Sequence, residues 1–313
     1  MTSRSRAHLY CFLAILSWST IELASKFLGP GVSPYPLTVW RFLIGGLVIL
    51  PFALRGLKTS RRRPKPADLF QMCLLGLLNV CVSMLFLQMS VYYGKASVSA
   101  VLVSSNPLFV SIFALLILRE KLSFPQIFGL ALALVGIALL VLGEGDFGSA
   151  KYLNLPLSIA LGLVSSLTFG LYTVLTKRLI ETHGKTLTNS VSFLGGAAAL
   201  FIYSVATGKP LLIPFSWSSA AIMLYLGAIV SGLSYLMFFE GMARLGAGQA
   251  SLYFFLKPVL ASLLALLFLR EALAPLQLVA IFVIVAGLTL SRVLKSSPNK
   301  LKSSGKGASA PAP

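Results

Sequence analysis

The chain reads as an all-α integral membrane protein, with ten transmembrane helices arranged as two five-helix inverted-topology repeats. Three observations lead there. Of 313 residues, 57% are hydrophobic and 11% charged, with a mean hydropathy of +0.89, too apolar for a soluble globular protein. Apolar runs close to the ~20 residues needed to cross ~30 Å of hydrocarbon recur along the chain. Residues 96–136 and 247–287 are two copies of one design: a single shift of 151 carries Pro107 onto Pro258, Arg119 onto Arg270, Glu120 onto Glu271 and Gly136 onto Gly287.

The first predicted helix, 8–28, follows Arg4 and Arg6 and holds Trp18, Ser19 and Thr20. A charged start before an apolar stretch also fits a secretory signal, but this stretch has a partner in the second half, which argues against its removal. Helix 2, 36–54, carries Arg41 and precedes a basic run from Arg55 to Lys65. Helix 3 spans 69–93. Helix 4, 96–118, is interrupted by Pro107 and ends on Arg119 and Glu120. Helix 5, 124–142, precedes GEGDFG (Gly143 to Gly148), which matches a dinucleotide glycine pattern and a kinase tripeptide by accident, since no strand or βαβ unit surrounds it.

The second half supplies 155–177, 188–206, 219–241, 247–269 and 275–291. The same shift persists there, through Lys26 and Lys177, Phe42 and Phe193, Gly45 and Gly196, Gly76 and Gly227, and Ser83 and Ser234. The units are therefore 1–146 and 147–295. A Lys-, Ser-, Gly-, Ala- and Pro-rich tail, 296–313, is expected to be disordered. Because five is odd, the second copy enters the membrane from the opposite side, an arrangement found in transporters. A duplicated membrane scaffold that moves nothing would share it.

Charge sets the orientation. The formal charge is +18, but the basic residues sit between apolar segments and in the tail, which is a topology signal and not a nucleic-acid surface. With both ends cytoplasmic, nineteen Lys and Arg fall inside and five outside, leaving Arg41 and Lys257 within helices. That asymmetry places both termini in the cytoplasm. Cys11, Cys73 and Cys81 lie in apolar runs without metal-ligand spacing, so no metal and no cofactor is expected. Enzyme chemistry has no support: His8 and His183 sit at helix ends, and no G-x-S-x-G occurs.

The inverted ten-helix plan, Trp18-Ser19-Thr20 in helix 1, and the paired stretches SNPLFVSIFALLILRE and LKPVLASLLALLFLRE resemble the drug/metabolite transporter superfamily, and within it the EamA-type exporters. The resemblance covers residues 7–292. It implies a bacterial inner-membrane protein with a central cavity lined by helices 1, 3, 4, 6, 8 and 9, with helices 5 and 10 peripheral and a homodimer contact among the expectations. It further implies export of amino acids or related small metabolites, while the superfamily also carries phosphorylated and nucleotide-linked sugars. The chain departs from many relatives by its lysine before the second proline and its glutamate in helix 1.

Depth singles out the residues expected to meet a small-molecule substrate. Lys257 and Asn106 each lie about 15 Å into their helices from opposite sides, and so meet near the midplane. An intramembrane charge costs about 2.5–3.5 kcal/mol on insertion scales, so such residues normally line water or pair. Lys257 is read as a cavity residue. Glu22 reads two ways, as an ion-pair partner of Arg41 or Lys26, or as a substrate- or proton-binding group. Pro107 and Pro258 are expected to kink their helices and free the carbonyls of Val103 and Phe254. Trp18, Ser83, Tyr172, Tyr235 and Tyr253, with Asn79, Gln88, Ser105, Thr176 and Ser234, give the expected cavity a mildly polar, aromatic character.

Overall fold

The computed structural model describes residues 3–29, 32–59, 63–94, 99, 102–120, 123–142, 154–269 and 275–293. The Gly143 to Gly148 loop, the Arg270-Glu271 pair and the 296–313 tail lie outside the described residues, as do the side chains of Glu22 and Lys26.

Among the described residues every regular element is helical. The chain opens with α1 (Ser3–Trp18) and α2 (Ile21–Phe27). They part at Ser19 and Thr20, whose hydroxyls donate back to the carbonyls of Ile15 and Ser17. Then come α3 (Pro34–Thr59), α4 (Pro66–Gly76), α5 (Leu85–Tyr93), α6 (Asn106–Leu118) and α7 (Phe124–Leu142). The second half holds α8 (Leu155–His183), α9 (Lys185–Ala206), α10 (Trp217–Leu224), α11 (Ser234–Leu245), α12 (Ala247–Ser251), α13 (Leu256–Leu269) and α14 (Pro275–Val293).

Among the described residues six spans are long and apolar enough to cross a membrane: Ser3–Ser25, Pro34–Lys58, Pro66–Tyr93, Pro156–His183, Lys185–Ala206 and Trp217–Leu245. Three shorter apolar helices, Leu102–Leu118, Phe124–Leu139 and Leu278–Gly287, accompany them. On the six long spans Phe52, Leu224, Phe70 and Ile202 are between 55% and 66% exposed. Bulky apolar side chains so placed on membrane-length helices belong against lipid tails, so the bilayer is the protein's solvent.

Two predicted helices prove discontinuous in backbone geometry. Between α4 and α5 the residues Leu77–Met84 form a π-helix, and between α10 and α11 Tyr225–Leu233 form another. Shifted by 151, the first overlaps the second, so both halves widen the same turn. Ser234 supports the second, its hydroxyl donating to the Ile229 carbonyl five residues back. π segments are uncommon and concentrate at functional sites.

Glycines show how the halves engage. A Cβ on Gly76 would overlap the Ser192 carbonyl oxygen, and one on Gly196 would overlap the carbonyl of Gly76. The same shift converts this contact into that of Gly227 and Gly45, where a Cβ on Gly45 would lie 3.0 Å from the Gly227 carbonyl oxygen. Corresponding residues of the halves thus exchange partners. Phe42 and Phe193, counterparts under the shift, meet edge to face at 4.9 Å. To one side α7 and α14 pack together: Gly136 faces Ile284, and Gly287 faces the Gly129 carbonyl. Leu252, Phe255 and Val259 complete that smaller core.

Candidate functional site

The proline-marked helices break where their first turns begin. A Ser105 turn precedes α6, and Pro107 lies in its first turn, where a missing N–H costs no intrahelical bond. In the second copy α12 tightens into a 3₁₀ turn, Leu252–Phe255, before α13 restarts with Pro258 in its first turn. The Phe254 carbonyl, expected to be free, shares the Leu256 N–H with the Tyr253 carbonyl. This break sets Phe254 and Lys257 against the centre of the protein.

A small cavity lies between the halves, lined by Trp18, Ile21, Arg41, Met84, Leu87, Val103, Phe169, Tyr235, Phe254 and Lys257. All six helices expected from the family resemblance contribute, and Arg41 adds helix 2. Lys257 is 2% exposed and Arg41 1%. The Arg41 guanidinium lies 4.8 Å from the Phe42 ring centroid, and its Nη2 donates to Met84 Sδ at 3.5 Å. Its charge also reaches the Tyr235 hydroxyl, as does the Asn79 amide, although neither Asn79 amide atom makes a hydrogen bond of good geometry. The cavity volume is about 20 Å³, room for a water molecule and too little for an amino acid.

Beneath the cavity, toward the end of the molecule that carries the N-terminus, aromatic rings fill the interior. Trp18 meets Tyr235 at 4.8 Å, Phe238 at 5.2 Å and Phe254 at 5.3 Å, and Phe239 and Tyr172 extend the cluster. The Trp18 indole N–H donates to the Val230 carbonyl at 2.9 Å, tying α1 to the second π segment. Edge-to-face and tilted pairs of this kind add about 0.5–1.5 kcal/mol each beyond their burial.

That same end, hereafter the terminal face, is also locked by charge. Lys177 Nζ lies 2.6 Å from Glu120 Oε1, and the N–H groups of Ala247 and Gly248 donate to the two Glu120 oxygens at 3.2 and 3.3 Å. Arg119 ends α6 in the left-handed conformation (φ 56°), and the Glu120 N–H returns to the Ala114 carbonyl, which turns the carboxylate toward α12. Gly246 (φ 86°) lets α12 begin directly after α11, and a Cβ there would lie 3.1 Å from Glu120 Oε2. Burial pushes the Glu120 carboxyl up, but Lys177 and the two backbone donors outweigh it and hold the group below its ordinary value. A second cluster lies beside the first: Glu240 takes Lys185 and Arg244, each at 2.6 Å, and Arg244 also reaches Ser3. Glu240 and Arg244 are four residues apart, one turn along the same face of α11.

The residues singled out in the sequence separate into groups. Lys257, Trp18 and Tyr235 line the cavity. Asn106 is buried outside that lining, its Nδ2 donating to the Ser166 carbonyl at 3.1 Å. Ser83 and Ser165 exchange hydroxyl-to-carbonyl bonds at 3.1 and 2.7 Å, a clamp between helices. The Tyr172 hydroxyl donates to Asn189 Oδ1 at 3.3 Å, and Tyr253 shares a 2.8 Å hydrogen bond with His8. Sequence reasoning passed over Phe169 and Met84 as lining residues, although the repeat contains the signal: Trp18 shifts onto Phe169, and Met84 onto Tyr235.

Comparison with known proteins reads the same way. The model of the EamA-like transporter family matches residues 5–142 and again 156–293. An uncharacterized transporter of Clostridium kluyveri is 31% identical over 303 residues, covering 95% of this chain and 96% of that protein. Protein PecM of Dickeya dadantii is 26% identical, covering 90% of each chain. A probable terminal-alkyne amino-acid exporter of Streptantibioticus cattleyicolor is 23% identical over 91% of this chain and 93% of its own length. A protein of known crystal structure superimposes with a TM-score of 0.77 over 92% of this chain and 98% of its own, at 23% identity, and so shares the fold. With both halves matched in turn and a full-length relative above 30% identity, the chain belongs to the EamA-like transporter family.

Proposed function

We propose that this transporter exports amino acids or similar small amphipathic metabolites across the bacterial inner membrane by alternating access. Ten helices in two inverted five-helix repeats, 1–146 and 147–295, would form the body, with the terminal face cytoplasmic. The observation that carries the reading is the position of Lys257. Its buried ammonium lines a cavity between the halves, while the terminal face is closed by the aromatic cluster and by Glu120 with Lys177. A site at the repeat interface, shut on one side, is what alternating access requires. The Lys257 ammonium would attract a substrate carboxylate, aromatic side chains would hold its body, and the breaks before Pro107 and Pro258 would let the helix ends move. Asn106 would steady the first of those breaks through α8. The relative named a probable terminal-alkyne amino-acid exporter supports this substrate class.

A second reading is favoured by Arg41, a second basic side chain in the cavity lining: a phosphorylated or nucleotide-linked metabolite as cargo. Both are tested by reconstituting the protein in sealed vesicles and following uptake and efflux of a panel of amino acids and sugar phosphates, with and without a pH gradient. Movement of amino acids that is lost in Lys257→Ala supports the first reading. An inserted Lys257→Ala protein with wild-type rate and affinity would sink the role given to the lysine, and transport of sugar phosphates alone would replace the first reading with the second.

A further inference from the structure

The connection after α3 and the connection after α9 are one loop in two copies. Shifted by 151, Lys65 falls on Ser216 and Asp68 on Ser219, and both pairs begin a helix in the same way: the Lys65 N–H donates to Asp68 Oδ2 at 2.9 Å, and the Ser216 N–H donates to Ser219 Oγ at 2.8 Å. The copies lie at opposite ends of the molecule. Asp68 Oδ2 is 3.3 Å from His183 Nε2, beside the start of α9 on the terminal face. The 22 residues of α9 then carry the chain about 33 Å, to the other face.

The helix start is kept while the side chains before it differ in chemistry. Arg61, Arg62 and Arg63 correspond to Leu212, Ile213 and Pro214, and Pro64 and Pro66 to Phe215 and Trp217. Leu212, Phe215 and Trp217 are between 78% and 87% exposed, and the Phe215 and Trp217 rings meet edge to face at 5.7 Å. The backbone beneath them is pinned. Leu211 and Ile213 pack against the main core, the Trp40 indole N–H donates to the Leu211 carbonyl at 2.8 Å, and the Ser219 hydroxyl donates to the Pro214 carbonyl at 2.9 Å. The inward residues thus hold the outward ones in place.

Three bulky apolar side chains presented together by a pinned loop call for a cover. Continuity identifies it. Ile202 and Val205 near the end of α9, and Leu224 on α10, are exposed on membrane-length spans, and the loop joins these two lipid-facing surfaces. Aromatic rings at the end of a span favour the headgroup level, where the apolar body is covered and the indole N–H still finds an acceptor. We propose that residues 210–217 are an aromatic anchor, with Leu212, Phe215 and Trp217 seated in the headgroup boundary of the leaflet opposite the terminal face and phospholipid as their partner. The anchor does not depend on the cargo.

Tryptophan emission tests it on the full chain. Of the three tryptophans, Trp18 is buried and Trp40 partly buried, so the wild-type emission minus that of Trp217→Phe isolates the loop. The protein is reconstituted in phosphatidylcholine vesicles whose acyl chains carry bromine either near the headgroup or near the chain end. Apolar side chains at this boundary lie about 5–10 Å into the bilayer surface, so bromine near the headgroup should remove about half or more of the Trp217 emission, and bromine near the chain end far less. Leu212→Trp, read against the wild type, adds a second reporter on the same surface and should follow the same order. Quenching that is equal or stronger from the chain end, or absent with both lipids, overturns the proposal. In the latter case acrylamide shows what replaces it: strong quenching means a loop in water, and protection means a loop covered by protein, such as a second copy of this chain.

Discussion

Glu120 and Lys177 meet at 2.6 Å across the terminal face, and the same carboxylate accepts the N–H groups of Ala247 and Gly248. One side chain thus joins the end of α6 in the first half to α8 and to the start of α12 in the second. The pair is half-buried, so solvent screens it less than a surface bridge.

Replacing Glu120 by Gln should open this face. Charge-assisted hydrogen bonds contribute about 1.5–3 kcal/mol, so loss of the charge is expected to shift the closed-to-open equilibrium about tenfold or more. Ser251 is buried on α12 just behind the lock. In a Ser251→Cys protein a maleimide is expected to label the new thiol slowly, and in the Glu120→Gln background about tenfold faster. Equal labelling rates would show that the carboxylate does not hold the face shut.

The same lock should respond to acid in a defined direction. The Glu120 carboxyl is held below its ordinary value in the closed form. Its contribution is therefore complete above the value of a free carboxyl, about 4.3, and is lost as pH falls through the lower folded value. Labelling at Ser251→Cys, taken at each pH relative to a fully exposed cysteine so that the falling thiolate fraction cancels, should stay flat from neutral pH to about 5 and rise below that, with Glu120→Gln abolishing the dependence. A rise centred near neutrality would assign the transition to another group.

Much of the architecture was legible in the sequence because lipid makes the rules strict: every span must be helical and apolar, and the duplicated stretch displays its own symmetry. Lys257 was legible for the same reason, as a charge in an apolar run. The π segments were not, because Leu77–Met84 and Tyr225–Leu233 have ordinary helical composition and their widened turns depend on neighbouring helices. Nor was the division of Ser83 and Tyr172 from the lining: one hydroxyl grips Ser165 and the other Asn189, partners fixed only by tertiary packing. The lock was half visible. Arg119 and Glu120 were expected at the end of helix 4, but Lys177 is 57 residues away and the Ala247 N–H 127.

Two glycines allow a direct comparison of close approach. A Cβ at Gly76 would overlap the Ser192 backbone oxygen, which no rotamer change can relieve, whereas one at Gly56 would meet Thr186 Oγ1 at an ordinary 3.9 Å. Gly76→Ala should cost about 1–3 kcal/mol through overpacking. Gly56→Ala, in a helix interior with room, should be neutral or stabilise by up to about 1 kcal/mol. Thermal unfolding in detergent measures both, and an unchanged midpoint for Gly76→Ala would disprove the contact between α4 and α9.

Trp18 supplies both a ring and a donor to the interior, and two substitutions separate these contributions. Trp18→Phe keeps an aromatic body among Phe169, Tyr235, Phe238 and Phe254 but removes the indole N–H that satisfies the Val230 carbonyl. A buried acceptor that loses its partner costs about 1–3 kcal/mol, and this one belongs to the second π segment. Trp18→Ala removes the ring as well, and truncating a buried tryptophan costs about 3–5 kcal/mol through lost burial and the cavity left behind. Unfolding midpoints in detergent should therefore fall in the order wild type, Trp18→Phe, Trp18→Ala. Maleimide labelling at Ser251→Cys should rise in Trp18→Ala while the Glu120 lock is intact, because the rings and the ion pair both stabilise the closed form of the same face. If Trp18→Ala lowers the midpoint but leaves that labelling at the wild-type rate, the tryptophan supports the fold without sealing the terminal face, and the ion pair closes it alone.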